Sequence, residues 1–398
     1  MRILIVNSVF GQGSTGKIVE DLYQRLCEEG NEVKVCYGRG QCQNNPNIVK
    51  VGYDFETIIH ATLARIMGIS GCFSYFSTKK LINIIEQFNP DIVHLHNVHG
   101  YYMDYYKVVK YLKKKKMKVV WTLHDELMFT GNCDYAYECD LWQTGCHACE
   151  QIESYPKSLF FDFSSIQYKW KHRLFMGIEQ FEIVTPSAWL KNRVEQSIMS
   201  EANVAVIHNG IDVNNVYYPQ SSERERENQK IVLIVTDDLK SVRKGLNYSL
   251  KLADICANTH PEVVFWIVGG TDENNNRENV KYFGMIKDKH ELAKIYSKAD
   301  ILLITSQCDN FPTVCIEALA CGTPILGFNA GGIAETAPHK RIGTFVSKND
   351  MDSLRDALYN MLGWNREQTR IECRKFAEKE YSRELMIDRY MNMYNRKI

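Results

Sequence analysis

Short, unbroken apolar runs alternate with amphipathic segments along the 398-residue chain, and they do so twice over. The runs fall at 3–6, 33–37, 92–96, 119–123, 183–186 and 204–207, then resume at 231–235, 263–268, 301–305, 324–328 and 344–346. A strand that is apolar on both faces has to be covered on both, which is the condition of a parallel sheet flanked by helices. Between the runs, Ile18, Val19, Leu22 and Leu26 share one helical face, as Leu250, Leu252, Ala253 and Cys256 do more loosely. The expected class is therefore α/β, with two doubly wound, Rossmann-like sheets separated by the polar stretch 221–230. The tail from about Leu354 carries no strand signal and reads as helix. In such sheets ligands bind at the loops leaving the carboxyl ends of the strands, so a cleft between two facing sheets is the expected site.

Composition agrees with two ordinary domains: 45% of residues are hydrophobic and 24% charged, enough to bury a large core. Lys+Arg and Asp+Glu balance at 48 each, which excludes a globally basic nucleic-acid binder. The run Lys113, Lys114, Lys115, Lys116, with Lys118 after it, reads as a solvated helix end or a patch touching anionic lipid. The apolar runs are far shorter than the ~20 residues of a membrane helix. The opening run reads as a strand rather than a signal peptide. The expected location is the cytoplasm, peripheral at most to the inner face of a membrane, with the thirteen cysteines held as thiols.

The first run leads into Gly11-Gln12-Gly13-Ser14-Thr15-Gly16-Lys17 and then a helix. Glycines let backbone approach a phosphate, and a helix start offers free N–H groups, so Gly13 and Gly16 are donor-binding candidates. Gly11, Gly16 and Lys17 almost complete a P-loop, but Ile18 stands where Ser or Thr would hold magnesium. A nucleotide hydrolase and a ligand-free glycine turn remain the alternatives here.

In the second half, a hydrophobic strand is followed by the string Ser306-Gln307-Cys308-Asp309-Asn310-Phe311-Pro312-Thr313-Val314-Cys315-Ile316-Glu317-Ala318-Leu319-Ala320-Cys321-Gly322-Thr323-Pro324. Pro312 starts a helical pattern that Gly322 and Pro324 end. Asp309 then lies in the loop before the helix and Glu317 inside it. Carboxylates there can accept from sugar and ribose hydroxyls, and the helix start can receive a diphosphate. This string resembles the acid-x7-acid motif of retaining glycosyltransferases of family 4, which have the GT-B fold. The resemblance extends to His208-Asn209-Gly210-Ile211-Asp212, to Arg243-Lys244-Gly245, and to Tyr296-Ser297-Lys298-Ala299-Asp300.

The resemblance implies that Glu317 binds the donor ribose, and that Asp309 and the Asn310-Phe311-Pro312-Thr313 backbone meet the transferred sugar and diphosphate. The first acid is Asp where Glu is commoner, one methylene shorter. A departing nucleoside diphosphate needs cationic stabilisation, and no Asp-x-Asp motif occurs between the strands of either half. Lys244 and Arg243 follow the first strand of the second half and are the candidates, against the reading of a solvated basic pair. The family's Arg usually stands five positions before the Lys, where this chain has Leu239. His124, followed by Asp125 at the end of a first-half strand, corresponds to a His that contacts the donor sugar; without the family it reads equally as a buried structural histidine. Retention in this family is described as front-face attack, with no protein nucleophile.

Beyond His124-Asp125, Cys133, Cys139, Cys146 and Cys149 fall within one polar, aromatic loop. Four thiols can wrap one tetrahedral zinc; ordinary reduced thiols and redox chemistry are the alternatives. Similar cysteine-rich inserts occur in bacterial surface-polysaccharide members of the family. The expected layout is an acceptor-binding domain at 1–215 with a cysteine-rich loop at 131–150. A nucleotide-sugar-binding domain at 216–375 follows, then a helix at 376–398 that crosses back. The expected activity is metal-independent, retaining transfer from a UDP- or GDP-type sugar to a lipid-linked or oligosaccharide acceptor in surface-polysaccharide biosynthesis. It needs no catalytic cofactor and no nucleic-acid partner. The rivals are a nucleotide-sugar epimerase of the same fold and a zinc-stabilised, non-catalytic binding module.

Overall fold

The computed structural model describes residues 1–42, 44–178, 181–220, 229–272 and 275–396. Within them the chain divides into two compact units, Met1–Ile207 with Ile387–Ile398, and His208–Met386. The boundary falls at Ile207 and His208, eight residues before the expected 215. Residues 221–228 of the expected separator lie outside the described residues.

Unit 1 runs β1 (Arg2–Asn7), α1 (Gly13–Glu28), β2 (Glu32–Tyr37), β3 (Ile48–Lys50), α2 (Asp54–Met67), α3 (Tyr75–Phe88), β4 (Ile92–Leu95), α4 (Tyr105–Lys114), β5 (Val119–Thr122), α5 (Leu141–Thr144), α6 (Ser164–Phe175), β6 (Phe181–Thr185), α7 (Ala188–Glu195) and β7 (Asn203–Val206). Its sheet has the order β3-β2-β1-β4-β5-β6-β7, all parallel. Unit 2 runs β8 (Lys230–Val235), α8 (Leu246–Thr259), β9 (Val263–Val268), β10 (Val280–Tyr282), α9 (Lys289–Lys298), β11 (Ile301–Ile304), α10 (Thr313–Ala320), β12 (Ile325–Phe328), β13 (Gly343–Val346), α11 (Met351–Leu362), α12 (Arg366–Glu380) and α13 (Arg383–Tyr394). Its order is β10-β9-β8-β11-β12-β13, again parallel throughout.

The apolar runs become strands because both faces are covered. Ile3, Leu4, Ile5 and Val6 are all fully buried, as are Ile325 and Leu326. Ile3 pairs with Val33 on one side and Ile92 on the other; in unit 2, Val232 pairs with Phe265 and Ile301. Helices seal the faces with their apolar stripes: Ile18, Val19, Leu22 and Leu26 on α1, and Leu252, Ala253 and Cys256 on α8.

In each sheet the order reverses around one strand. β1 stands between β2 and β4, and β8 between β9 and β11. The connections there depart to opposite faces, which opens a crevice at the carboxyl ends. The chain's chemistry-bearing loops follow β8 and β11 in unit 2, and β1, β4 and β5 in unit 1. No helix among the described residues is long and apolar enough to cross a membrane. α13 starts in unit 2, and its residues from Ile387 onward belong to unit 1.

Candidate active site

At the switch point of unit 2, the loop after β8 and the loop after β11 are stitched together. The β8 loop ends in a 3₁₀ turn at Val242–Lys244, closed by Gly245 in the left-handed conformation (φ 65°), from which α8 starts. A Cβ at Gly245 would lie 2.0 Å from the Thr305 carbonyl oxygen, so the sharp turn and the close approach both require glycine. The Gly245 carbonyl accepts from Thr305 Oγ1 at 2.8 Å, and the Gln307 N–H donates to the Arg243 carbonyl at 2.7 Å.

This stitching brings the expected cations to the expected acid. Arg243 Nη1 and Lys244 Nζ each donate to Asp309 Oδ2 at 3.0 Å, and Arg243 Nη1 also reaches the Cys308 carbonyl at 3.1 Å. Asp309 is 8% exposed. Burial alone would raise its carboxyl, but the charges of Lys244 and Arg243 outweigh it and hold Asp309 below the ordinary carboxylate range. Its backbone is fixed too: the Asp309 carbonyl accepts from the Gly332 N–H at 2.9 Å, and Gly331 could not carry a Cβ, which would meet that carbonyl at 2.2 Å. Leu239, where the family's usual Arg would stand, packs under Gly270 instead. Two adjacent cations on one carboxylate are thus supplied by Arg243 and Lys244 themselves.

α10 follows directly. Pro312 occupies its N-cap and gives no side-chain cap; its carbonyl accepts from the Cys315 N–H at 3.1 Å, so the N–H groups of Thr313 and Val314 are the ones left for an acceptor from elsewhere. Asn310, Phe311 and Pro312 are buried and Thr313 is half-buried. Phe311 stacks on His208 at 4.8 Å, and its carbonyl accepts from Asn209 Nδ2 at 3.2 Å. One turn into α10, Glu317 is 8% exposed, and its Oε2 accepts from the Tyr296 hydroxyl at 2.9 Å. That hydroxyl fixes the Glu317 carboxylate, a partner the spacing of the two acids does not reveal. The chain's only Asp-x-Asp pair lies elsewhere: Asp350 caps α11 and Asp352 pairs with Arg355 at 2.8 Å.

Unit 1 carries a second constellation at the ends of β4 and β5. His124 follows β5, and its Nε2 lies 3.1 Å from His96 Nδ1, with the rings stacked. His94 sits behind them, bonded to Thr122 Oγ1 at 2.9 Å and to the Tyr394 hydroxyl at 2.7 Å. Burial depresses all three imidazoles, His124 to about 4, His94 to about 3 and His96 well below the usual value. They are neutral hydrogen-bonding groups at pH 7. His99 behaves oppositely: burial would depress it, but Asp125, 2.7 Å away, raises it, and Asp125 is correspondingly held low. Of these histidines only His124 is among the expected site residues; the signal for His94, His96 and His99 is their His-x-His-x-x-His spacing at a strand end.

The glycine loop is shorter than a P-loop. α1 already begins at Gly13, so Gly16 and Lys17 lie a turn inside the helix instead of at its mouth. Gly16 is there for packing: a Cβ would sit 3.1 Å from Val9 Cγ2 and 3.3 Å from the Gly11 nitrogen. Gly13 (φ 63°) has open space around its Cβ position, and Gln12 gives no side-chain cap, which leaves the first-turn N–H groups of α1 accessible. Cys133, Cys139, Cys146 and Cys149 belong to the segment between β5 and α6, which follows His124 directly in sequence. Among the described residues no three His, Cys, Asp or Glu side chains stand ready around one ion.

Comparison with known proteins accords with this geometry. The family model described as Glycosyltransferase Family 4 matches residues 15–215, and that described as Glycosyl transferases group 1 matches 220–380. The Escherichia coli (strain K12) protein WcaC, provisionally named a colanic acid biosynthesis glycosyl transferase, is 24% identical over 99% of both chains. Among solved structures, sucrose-phosphate synthase from Thermosynechococcus elongatus superposes with a TM-score of 0.73 at 16% identity, covering 99% of this chain and 98% of that one. WaaG, a glycosyltransferase involved in lipopolysaccharide biosynthesis, gives 0.65 at 15%, covering 99% and 100%. Anabaena HepE, solved with UDP and with UDP-glucose, gives 0.65 at 14%, covering 99% of each. Both units have the Rossmann-like architecture of the GT-B fold, and the chain belongs to glycosyltransferase family 4.

Proposed function

We propose that the protein transfers a sugar, with retention and without a catalytic metal, from a UDP- or GDP-type donor to a lipid-linked acceptor in surface-polysaccharide biosynthesis. The observation that carries the reading is the pair of cations, Arg243 and Lys244, held on Asp309 at the unit 2 switch point beside the uncapped start of α10. When the bond between the anomeric carbon and the diphosphate breaks, negative charge grows on the departing phosphate oxygen. Fixed cations and helix N–H groups stabilise that charge more than the ground state, which is what lowers the barrier. Asp309 keeps both cations from relaxing onto other partners. Glu317, oriented by Tyr296, accepts from the two ribose hydroxyls.

Retention follows if the acceptor oxygen attacks the anomeric carbon on the face the diphosphate leaves, while the acceptor's proton passes to the leaving phosphate oxygen. One C–O bond forms, one breaks, and no side chain is alkylated. His124, neutral at working pH, serves sugar hydroxyls by hydrogen bonding and is not a base. The UDP and UDP-glucose of the HepE structures support the donor class, and the colanic acid and lipopolysaccharide names of the relatives support the pathway.

A lipid-linked acceptor is favoured over a free oligosaccharide by one surface of unit 1. Phe55, Ile58 and Ile59 on α2, Phe76 on α3, and Phe160 and Phe161 in the loop before α6 are all at least half exposed, Phe160 by 71%. Phe55 and Phe76 are 6.4 Å apart, and the Leu159 N–H bonds the Arg65 carbonyl at 2.8 Å, which ties the loop to the end of α2. Exposed apolar groups gathered in this way mark an interaction surface, here for the membrane that holds the acceptor.

Calorimetric titration with UDP-, GDP- and ADP-sugars in EDTA tests the donor half of the proposal. One donor class binds wild type and binds Glu317→Gln at least tenfold more weakly. No binding until magnesium is added, or equal binding by the variant, would overturn it.

A further inference from the structure

The cysteine-rich loop has no part in that chemistry, yet named side chains tie it to the rest of unit 1. Buried Glu126 pairs with Arg193 and accepts from the Ala136 N–H at 2.7 Å. Thr130 Oγ1 donates to the Cys133 carbonyl at 2.6 Å, and the Cys149 N–H donates to Asp162 at 2.7 Å. These bonds fold the loop so that Cys133, Cys139, Cys146 and Cys149 all line one small cavity of about 20 Å³. That is room for a single atom-sized guest.

Three further features point to what the guest is. The Gly131 N–H points at Cys146 Sγ over 3.1 Å, and a backbone N–H aimed at sulfur supports a metal-bound thiolate. Trp142 lines the same cavity at 1% exposure, and its Nε1–H has no acceptor among the described residues. An indole donor buried without a partner implies an acceptor that arrives with a ligand. Lys171 is completely buried, and its ammonium meets only carbonyls, those of Leu127, Thr130 and Gly131 at 2.5, 3.0 and 3.3 Å. It makes no ion pair with a carboxylate among the described residues. A buried cation calls for a buried anion.

We propose that Cys133, Cys139, Cys146 and Cys149 bind one structural zinc ion as a tetrathiolate. Four thiol protons leave to solvent and four Zn–S bonds form, giving a centre of charge −2 that Lys171 half neutralises. Sulfur-only donors select zinc or iron, and a cavity of about 20 Å³ suits a single ion. The metal draws the four sulfurs in from their metal-free positions, fills its coordination sphere with protein, and leaves no open position for catalysis. Its effect is to hold the 131–150 loop behind His124-Asp125.

The test is metal analysis of the full chain, expressed in zinc-supplemented medium and purified with a thiol reductant and no chelator. One zinc per chain is expected, falling at least fivefold in Cys133→Ser and in Cys146→Ser. X-ray absorption on the wild-type protein decides the matter even if those variants do not fold: four sulfurs at about 2.3 Å from zinc are expected. Less than a tenth of an equivalent of zinc would overturn the proposal. So would a shell containing nitrogen or oxygen, iron in place of zinc, or a Cys133–Cys149 disulfide in the reduced preparation.

Discussion

Asp309 shows how far a single side chain can organise a site. It is buried, it would resist ionisation alone, and two cations keep it charged. Asp309→Asn removes that charge while leaving Arg243 and Lys244 three-quarters buried. A loss of roughly 1.5–3 kcal/mol in unfolding free energy is expected for the charge-assisted bonds. Urea unfolding measures it, and an unchanged midpoint would show that the cations are not anchored there. Asp309 and Glu317 were legible because the acids are embedded in a long, ordered string of residues. Tyr296 as the Glu317 partner was not, since it lies on another helix and only folding brings it within 2.9 Å. The histidines of unit 1 give a second prediction. His94, His96 and His124 stay neutral when folded, but in the unfolded chain each takes up a proton near pH 6.5. The unfolded state therefore binds more protons below that pH, and stability falls on acidification. Each group contributes up to about 1.4 kcal/mol per pH unit until the folded values near 4 and 3 are reached. His99 works the other way: its raised value adds stability that is full below pH 6.5 and lost as pH rises through the folded value. Three groups outweigh one, so urea midpoints must drop between pH 7 and pH 5. A flat profile would mean that the three imidazoles are not buried and neutral.

At the scale of elements, every apolar run of the sequence became a strand, because strands buried on both faces announce themselves by composition. β3 and β10 escaped notice for the complementary reason: each has three residues at a sheet edge, and Ile48, Val49 and Lys50 are only half-buried. The near-P-loop misdirects in the same manner. Its spacing counts residues, whereas the start of α1 at Gly13 decides where free N–H groups lie. The Val242–Lys244 turn, closed by Gly245, is the element on which the cation pair depends. In Gly245→Ala the new methyl strains a left-handed backbone and meets the Thr305 carbonyl. That costs at least 1–2 kcal/mol by the backbone conformation alone. It also displaces Arg243 and Lys244, so donor turnover should fall at least tenfold in the same variant. Wild-type turnover in Gly245→Ala would separate the turn from the chemistry.

At the scale of the whole molecule, the chain's end belongs to its beginning. The residues of α13 from Ile387 onward fill the core of unit 1: Tyr390 and Tyr394 are 2% exposed and bond Thr122 and His94. Truncation after Met386 uncovers those partners, and circular dichroism of the shortened chain should show the earlier of its thermal transitions lowered or lost. An unaltered melting profile would contradict the assignment of that segment to unit 1. A terminal helix crossing back is expected from the sequence, but its partners Thr122 and His94 are not, because the contacts span some 270 to 300 residues of chain. On the proposed function, fixed side-chain cations and not a metal carry the charge of the departing diphosphate. The most direct test is the rate of donor cleavage, in EDTA and in magnesium, for wild type and Lys244→Ala. Equal wild-type rates are expected in the two buffers, with a fall of roughly 10²–10³-fold in the variant in both. A wild-type enzyme silent in EDTA and restored by magnesium, or a Lys244→Ala enzyme as fast as wild type, would contradict it.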